Sequence, residues 1–125
     1  MEHVPRDEVE TTEAVPGVHL SQLVAGERTS VQGFYIEPGA SVPRHSHPHE
    51  QAGHVASGTL TFLVGDGEMA VDGDPVADEE VVVAAGESYV IPGDEPHAAV
   101  NRGEVPVEGV DVFSPPRLDP DWMDD

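Results

Sequence analysis

Short runs of alternating apolar and polar residues, separated by glycine and proline, extend along most of this chain. Alternation with a period of two is typical of half-buried β-strands, and no segment keeps the period of an amphipathic helix. The Gly-Asp-Gly sequence at 65–67 is a hairpin signal. The pattern predicts an all-β antiparallel barrel or sandwich, with strands at residues 18–24, 30–37, 52–57, 59–64, 68–71, 81–84, 88–91, 97–101 and 107–113.

The 125 residues divide into one folded domain and two acidic ends. A chain of this length can bury a sufficient core without disulfides, and it contains no cysteine. Residues 1–13 carry few apolar groups and are expected to form a flexible acidic arm, whereas residues 14–117 form the barrel domain. Residues 118–125 form an acidic tail that contains the single tryptophan, Trp122, to which the sequence assigns no role.

Two closely spaced histidines give the strongest chemical signal. His45 and His47 are two residues apart, and side chains at i and i+2 on an extended strand point to the same face. Pro43 and Pro48 exclude a helix at this point, because proline removes backbone donors and pushes the preceding residue toward extended conformations. A third histidine, His97, has to be brought in by a neighbouring strand. The spacing predicts a metal site on an extended segment.

Two motifs surround these histidines and resemble the paired motifs of the cupin superfamily. That resemblance implies a double-stranded β-helix, or jelly-roll, barrel in which one metal ion is bound by His45, His47, Gln51 and His97. Gln51 stands where the family usually has glutamate, and Asp94 stands where it usually has a turn glycine. The first motif is matched by Gly39, His45, His47, Gln51 and Gly58, and the second by Gly86, Pro92, His97 and Asn101.

Neutral ligands would leave a divalent ion its full charge toward the remaining coordination positions, which favours an anionic or chelating oxygen ligand there. Nitrogen and oxygen ligands without thiolate suit Zn, Fe, Ni, Co, Mn or Cu, and the sequence does not choose among them. His49 could compete as a ligand but falls where the chain is expected to turn. His54 is an odd number of residues from Gln51, so it is expected to point outward, as a dimer contact or an exposed side chain. His3 and His19 receive no function.

The chain carries 25 acidic residues against five arginines and no lysine, for a net charge of −20. Nucleic acid and anionic membranes are therefore poor partners. This composition resembles that of proteins from salt-accumulating halophiles, an interpretation favoured over the binding of a basic partner. Residues 1–10 lack the basic and apolar stretches of a signal peptide, and no apolar run approaches the roughly 20 residues that span a bilayer. A soluble, cytoplasmic protein is expected.

Residues 111–117 read Asp-Val-Phe-Ser-Pro-Pro-Arg. Together with the His-Ser-His-Pro-His-Glu-Gln sequence at 45–51, this ending resembles the KdgF-type cupins of pectin and alginate breakdown, which convert 4,5-unsaturated monouronates to linear keto forms. The resemblance implies that Asp111, Phe113 and Arg117 line the pocket beside the metal. Parity places Asp111 and Phe113 on one strand face, and the planar fork of Arg117 suits a carboxylate.

The leading hypothesis is therefore a metal-dependent, isomerase- or lyase-like enzyme that acts on a small carboxylated sugar. Arg117 would hold the uronate carboxylate and Asp111 would move the proton during ring opening and tautomerisation. An ordinary ion pair between these two residues is the alternative, and core filling is equally expected for Phe113. Arg44 and Tyr89 are further pocket candidates.

Two other classes of function stay open, a metal-dependent dioxygenase and a non-enzymatic small-molecule-binding module. A homodimer is expected, because single-domain cupins commonly pair their sheets.

Overall fold

The protein is described from a computed structural model, over residues 1–65 and 79–118. Most of the predicted 65–67 turn, the predicted strand at 68–71 and Trp122 lie outside these residues. Within them the chain forms a 3₁₀ turn, Arg6–Glu8, followed by ten strands. The strands are β1 Thr12–Val15, β2 Val18–Ala25, β3 Ser30–Ile36, β4 Ser41–His45, β5 Glu50–Ser57, β6 Thr59–Val64, β7 Glu79–Ala84, β8 Ser88–Ile91, β9 His97–Val100 and β10 Val107–Ser114.

The strands form two antiparallel sheets. One has six strands in the order β1-β2-β3-β10-β5-β8, and the other has four in the order β4-β9-β6-β7. Alternate residues of both sheets meet in one apolar core, to which Phe34 and Val107 contribute from the first sheet and Leu60 and Phe62 from the second. The all-β jelly-roll prediction is confirmed, since both sheets are antiparallel and each joins strands that are far apart in the chain, such as β3 with β10 and β4 with β9.

Strand β4 departs from regular pairing at the point where it carries the first histidine. Val42 pairs with Ala99 of β9, but His45, three residues on, pairs with His97, two residues back from Ala99. This bulge inserts one extra residue and reverses the parity, so that Val42 and His45 both line the interior. Pro43 is tolerated there because β4 is an edge strand. The bulge is what sets His45 directly opposite His97.

His47 does not lie on the strand that carries His45, as the i, i+2 argument assumed. β4 ends at His45, and His47 belongs to the irregular segment that leads into β5. The two rings nevertheless converge, with centroids 5.6 Å apart. The prediction of a shared face was therefore right in outcome and wrong in its cause.

The first strand begins earlier than the barrel predicted from sequence. β1 starts at Thr12 and pairs with β2, with Thr12 opposite Leu20. Ahead of it, the Arg6 guanidinium donates hydrogen bonds to Thr11 Oγ1 at 3.1 Å and to Ser21 Oγ at 3.0 Å. This strand has no clear apolar alternation, because its residues pack at a sheet edge. Over the described ranges, no helix is long and apolar enough to cross a membrane.

Candidate metal centre and cavity

A cavity of about 400 Å³ opens between the two sheets. Apolar side chains of the core, among them Phe34, Leu60 and Phe62, form one part of its wall. The other part is polar and brings together nearly all the residues that the sequence singled out. These polar lining residues are Gln32, Arg44, His45, Ser46, Gln51, Tyr89, His97, Asp111 and Arg117.

Three imidazoles converge on one point at the polar end. The ring centroids of His45 and His97 are 4.4 Å apart, and those of His47 and His97 are 5.3 Å apart. One nitrogen from each ring lies within 4.8 Å of the other two. Ligand atoms this close can share one ion, since metal–nitrogen bonds are about 2.0–2.1 Å long.

The hydrogen bonds of two of these rings fix which nitrogen is available. His45 Nδ1 lies 2.9 Å from the Pro43 carbonyl and His97 Nδ1 lies 2.8 Å from the Glu95 carbonyl. A carbonyl only accepts, so each Nδ1 carries the proton and each Nε2 keeps its lone pair. Nε2 of His97 is buried and has no hydrogen-bond partner among the described residues. Metal-binding histidines are oriented by carbonyls in the same way, so the residues present fit a metal ion.

Backbone contacts from the second motif hold His47. The amide of Asp94 donates to the His47 carbonyl at 2.7 Å. Asp94 has a φ of +67°, the left-handed conformation that explains why glycine is usual at this position. A Cβ on the neighbouring Gly93 would lie only 2.5 Å from the Pro48 carbonyl. The turn before β9 is therefore seated directly on the segment that carries His47.

Gln51 connects the imidazole cluster to the buried carboxyl group. Its Oε1 accepts a hydrogen bond from His47 Nε2 at 3.2 Å, and its amide donates to Asp111. Gln51 is 6% exposed, as is Asp111. A glutamate could not donate, and it would place a second carboxylate against Asp111. The side-chain amide therefore suits both neighbours, which gives the departure from the usual glutamate a physical reason.

A row of paired residues builds the environment of Asp111. Asp111 of β10 pairs with Gly53 of β5, and Gly53 pairs with Tyr89 of β8. The Tyr89 hydroxyl reaches across the glycine and donates to Asp111 Oδ1 at 2.5 Å. A Cβ on Gly53 would lie 2.1 Å from the Tyr89 ring. Gly53 is therefore the residue that allows the tyrosine and the aspartate to meet.

Burial shifts the pKa values of the histidines and of Asp111 at the polar end of the cavity. It lowers the pKa of His45 and His97, and together with the charge of Arg117 it lowers the pKa of His47 to about 4. The three rings are therefore neutral near pH 7, the form that binds metals. Burial raises the pKa of Asp111 to about 6, against the opposing effects of hydrogen bonds from Tyr89 and Gln51 and the Arg117 charge. Such a carboxyl group can give and take a proton near neutrality.

Arg117 and Phe113 lie together at the end of β10. The Arg117 guanidinium carbon is 5.3 Å from the centroid of the Phe113 ring, a cation–π contact. The Arg117 backbone amide donates to the hydroxyl of the buried Ser30 at 2.9 Å, which ties this segment to β3. Phe113 is 1% exposed and also contacts the ring of His47 edge-on. Phe113 thus fills core and supports both the cation and an imidazole.

The remaining histidines separate as their positions suggested. His54 is exposed and hydrogen-bonded to Ser88. The ring of His49 contacts those of His47 and Phe113, with centroids 5.4 and 6.1 Å away. Arg44 and Tyr89 both line the cavity. Gln32 also lines the cavity but was not predicted from the sequence. It could have been found, because it lies two residues from the apolar Phe34 and residues at this spacing on a strand point to the same face.

Comparison with known proteins gives consistent results. A profile of the cupin domain family matches residues 34–113. Similar solved structures include KdgF from Halomonas sp., with a TM-score of 0.78 and 22% identity over 95% of this chain and 97% of that one. An RmlC-like cupin from Shewanella frigidimarina NCIMB 400 has a TM-score of 0.75 and 25% identity over 95% and 96% of the two chains.

The polyketide cyclase RemF from Streptomyces resistomycificus is also similar, with a TM-score of 0.71 and 22% identity over 91% of this chain and 79% of that one. At 22% identity, the likeness to RemF and to KdgF shows the fold alone. No curated protein sequence matches the chain significantly.

Proposed function

The chain belongs to the cupin family, and on that premise we propose that it is a metal-dependent enzyme that opens the ring of a small carboxylated sugar, most specifically a 4,5-unsaturated uronate. One observation carries the proposal. One cavity is lined by His45, His97, a carboxyl group with a pKa of about 6 and a guanidinium group, and His47 completes the cluster of three neutral imidazoles at its polar end. The uronate assignment comes from the resemblance of the C-terminal motif to KdgF-type cupins.

His45, His47, His97 and Gln51 would hold the metal ion. When bound there, a divalent ion supplies a Lewis acid for a ligand oxygen. The four side chains are uncharged, so they leave the positive charge of the ion undiminished toward the ligand. Asp111 stays outside this set and is joined to it through the Gln51 amide.

Arg117 binds and orients the substrate. Its guanidinium pairs with the uronate carboxylate, in a geometry that two parallel N–H donors match well. The Phe113 ring beneath it and the Ser30 hydroxyl at its backbone limit the positions that the cation can take. Within a chain of net charge −20, Arg117 and the second arginine of the lining, Arg44, give the cavity its preference for an anion.

Asp111 moves the proton. It accepts the proton of the anomeric hydroxyl as C1 becomes an aldehyde and the bond between C1 and the ring oxygen breaks. The enolate released in this step then becomes a ketone as C4 takes up the same proton from Asp111. Substrate and product are isomers, so no external proton or electron is needed. Tyr89 remains protonated, because burial and the Asp111 charge raise its pKa, and its hydroxyl holds one carboxyl oxygen in place.

The decisive assay is the loss of ultraviolet absorbance of the conjugated double bond in a lyase digest of pectin or alginate, measured with metal-loaded protein in concentrated KCl. We expect loss faster than the spontaneous rate, abolished by chelation and strongly reduced in Arg117→Gln. The matched control is Arg102→Gln, which removes an exposed arginine paired with Glu80 at 2.5 Å and should leave the rate unchanged.

Other outcomes of the assay would assign another function. Metal-dependent oxygen consumption without ultraviolet loss would replace the proposal with a dioxygenase. Saturable ligand binding without product would replace it with a binding module. The homodimer and the adaptation to high salt stay predictions, and light scattering in molar KCl gives the mass that tests the first.

A further inference from the structure

One polar side chain in the cavity has no place in the chemistry described so far. Gln32 on β3 is 5% exposed and lines the cavity. Its Oε1 is buried and has no hydrogen-bond partner among the described residues. Its neighbours on the same face of β3, Phe34 and Ile36, belong to the apolar core. Gln32 therefore brings an unused acceptor to the cavity directly beside the apolar part of this strand face.

An unsatisfied buried acceptor is costly. It destabilises a fold by about 1–3 kcal/mol, and most such groups in native proteins have a partner. An apolar residue would fill this position at lower cost. An acceptor that faces a cavity and lacks a protein partner is suited to a donor that arrives with the ligand.

The register places this acceptor beside the proton-moving group. Gln32 pairs directly with Asp111 across β3 and β10, in the row that continues through Gly53 to Tyr89. Adjacent strands are about 4.8 Å apart, so a ligand in contact with Asp111 also lies within reach of Gln32. Arg117 is bonded through its amide to Ser30, two residues before Gln32 on the same face.

We propose that Gln32 is a specificity-determining residue that accepts a hydrogen bond from a sugar hydroxyl neighbouring the atom served by Asp111. The inference rests on the proposed function and deepens it. The metal, Arg117 and Asp111 recognise features that any small carboxylate with an enol ether could offer, whereas Gln32 requires a hydroxylated carbon beside the reacting one. The cavity then selects polyhydroxylated acids over deoxygenated ones.

The test compares two glutamines in the same row. Gln32→Met keeps the length of the side chain and removes the acceptor. Gln22→Met is the matched control, because Gln22 pairs with Gln32 in register but does not line the cavity. With the 4,5-unsaturated uronate we expect a KM about 5- to 10-fold higher in Gln32→Met, the usual loss for one neutral hydrogen bond, and an unchanged KM in Gln22→Met.

A second comparison identifies the hydroxyl. One of the 2-deoxy and 3-deoxy forms of the substrate should bind wild type and Gln32→Met equally, because it lacks the donor. The midpoint of thermal unfolding of the metal-free protein should not fall in Gln32→Met, since the variant removes an unsatisfied group. Equal KM values in wild type and Gln32→Met would overturn the proposal and leave a bound water as the partner of Gln32.

Failure of the proposed function gives a different result. Wild type would then show no turnover, and calorimetric titration with galacturonate would replace KM as the measurement. Weaker binding to Gln32→Met than to Gln22→Met would support the role of Gln32 without the reaction. Absence of both turnover and binding in wild type would overturn both proposals.

Discussion

Two groups of side chains in this protein bring metal-ligating atoms equally close together, and they differ in almost everything else. The inner cluster is His45, His47 and His97. The outer cluster is Glu13 on β1, His19 on β2 and Glu37, which directly follows β3. In both, the ligand atoms lie within 4.8 Å of one another. Proximity alone therefore does not distinguish a metal site from an ordinary surface arrangement.

The partners of the atoms do distinguish them. In the outer cluster, His19 Nε2 donates to the Glu37 carboxylate at 2.6 Å, and a Glu13 oxygen accepts from the Gly17 amide at 2.9 Å. Both glutamates are exposed, so water satisfies what remains. In the inner cluster the Nε2 of His97 is buried without a partner within the described part of the chain. Unsatisfied buried lone pairs, held in place by carbonyls, are the feature that indicates a ligand.

The largest effect is expected from Asp111, the acid that is linked to the inner cluster through Gln51 but is not one of the proposed metal ligands. Asp111→Asn keeps the shape and the contact with Tyr89 but cannot transfer a proton. Turnover should fall by about two to four orders of magnitude, the usual contribution of general acid–base catalysis, at unchanged metal content. Glu37→Gln makes the same chemical change in the outer cluster and should leave the rate of ultraviolet absorbance loss unchanged. A rate within threefold of wild type in Asp111→Asn would remove this residue from the mechanism.

The inner histidines should also show their burial in a pH titration of the metal-free protein. The pKa values of these rings in the folded protein lie below 6.5. They therefore contribute stability above pH 6.5 that is lost as the pH falls, and for His47 this loss continues down to its pKa of about 4. Asp111 acts in the opposite sense, because its folded pKa of about 6 lies above the ordinary value of 3.8. It contributes stability at low pH that is lost as the pH rises through 6.

NMR signals of the inner rings should therefore titrate below pH 6.5, that of His47 last. Metal affinity should fall over the same interval, since protons compete for the lone pairs. Inner rings that titrate at the usual value of about 6.5 would show that the cluster is as open to water as an ordinary surface site.

Gln51→Glu would make the inner cluster resemble the outer one, because it adds a carboxylate to the histidines. Two carboxylates would then share the buried site, and Asp111 would lose the hydrogen bond that the Gln51 amide donates to it. We expect the free energy of unfolding of the metal-free protein at pH 7.5 to fall by about 2 kcal/mol, and added metal to recover part of it. Gln22→Glu is the control, and equal stability in the two variants, measured by urea denaturation, would contradict the interpretation of Gln51.

The smallest effect is expected outside the cavity. His19→Ala removes one partly exposed ion pair of the outer cluster, which is worth about 0–1 kcal/mol. Urea denaturation should therefore detect little change. A loss of several kcal/mol would show that the outer cluster holds the β1–β2 hairpin in a way that its exposure does not suggest.

Much of the fold followed from the sequence because alternation and turn residues are local signals. Most predicted strands end within a residue or two of the observed ones, for example residues 107–113 against Val107–Ser114. β1 was missed because four residues at a sheet edge carry little alternation. The bulge in β4 was also missed, since it is an offset between two strands and Pro43 alone does not specify it.

The site was predictable to the extent that its residues form motifs. The convergence of His45, His47 and His97 and the common cavity of Asp111 and Arg117 were expected, and the structure brings them together. The roles of Gly53 and Gln32 could not be predicted, because they depend on which residues pair across β3, β10, β5 and β8. A glycine that admits a tyrosine, and an acceptor opposite an aspartate, become visible only once the register is known.

The most direct test of the account is the metal content of two variants. Wild type, His19→Ala and the double variant His45→Ala, His97→Ala are loaded with Zn²⁺, desalted in molar KCl to screen surface acids, and analysed by plasma mass spectrometry, with circular dichroism to confirm folding. We predict one zinc per chain in wild type and His19→Ala, and almost none in the double variant. Zinc retained by the double variant and lost from His19→Ala would place the metal in the outer cluster and contradict the account.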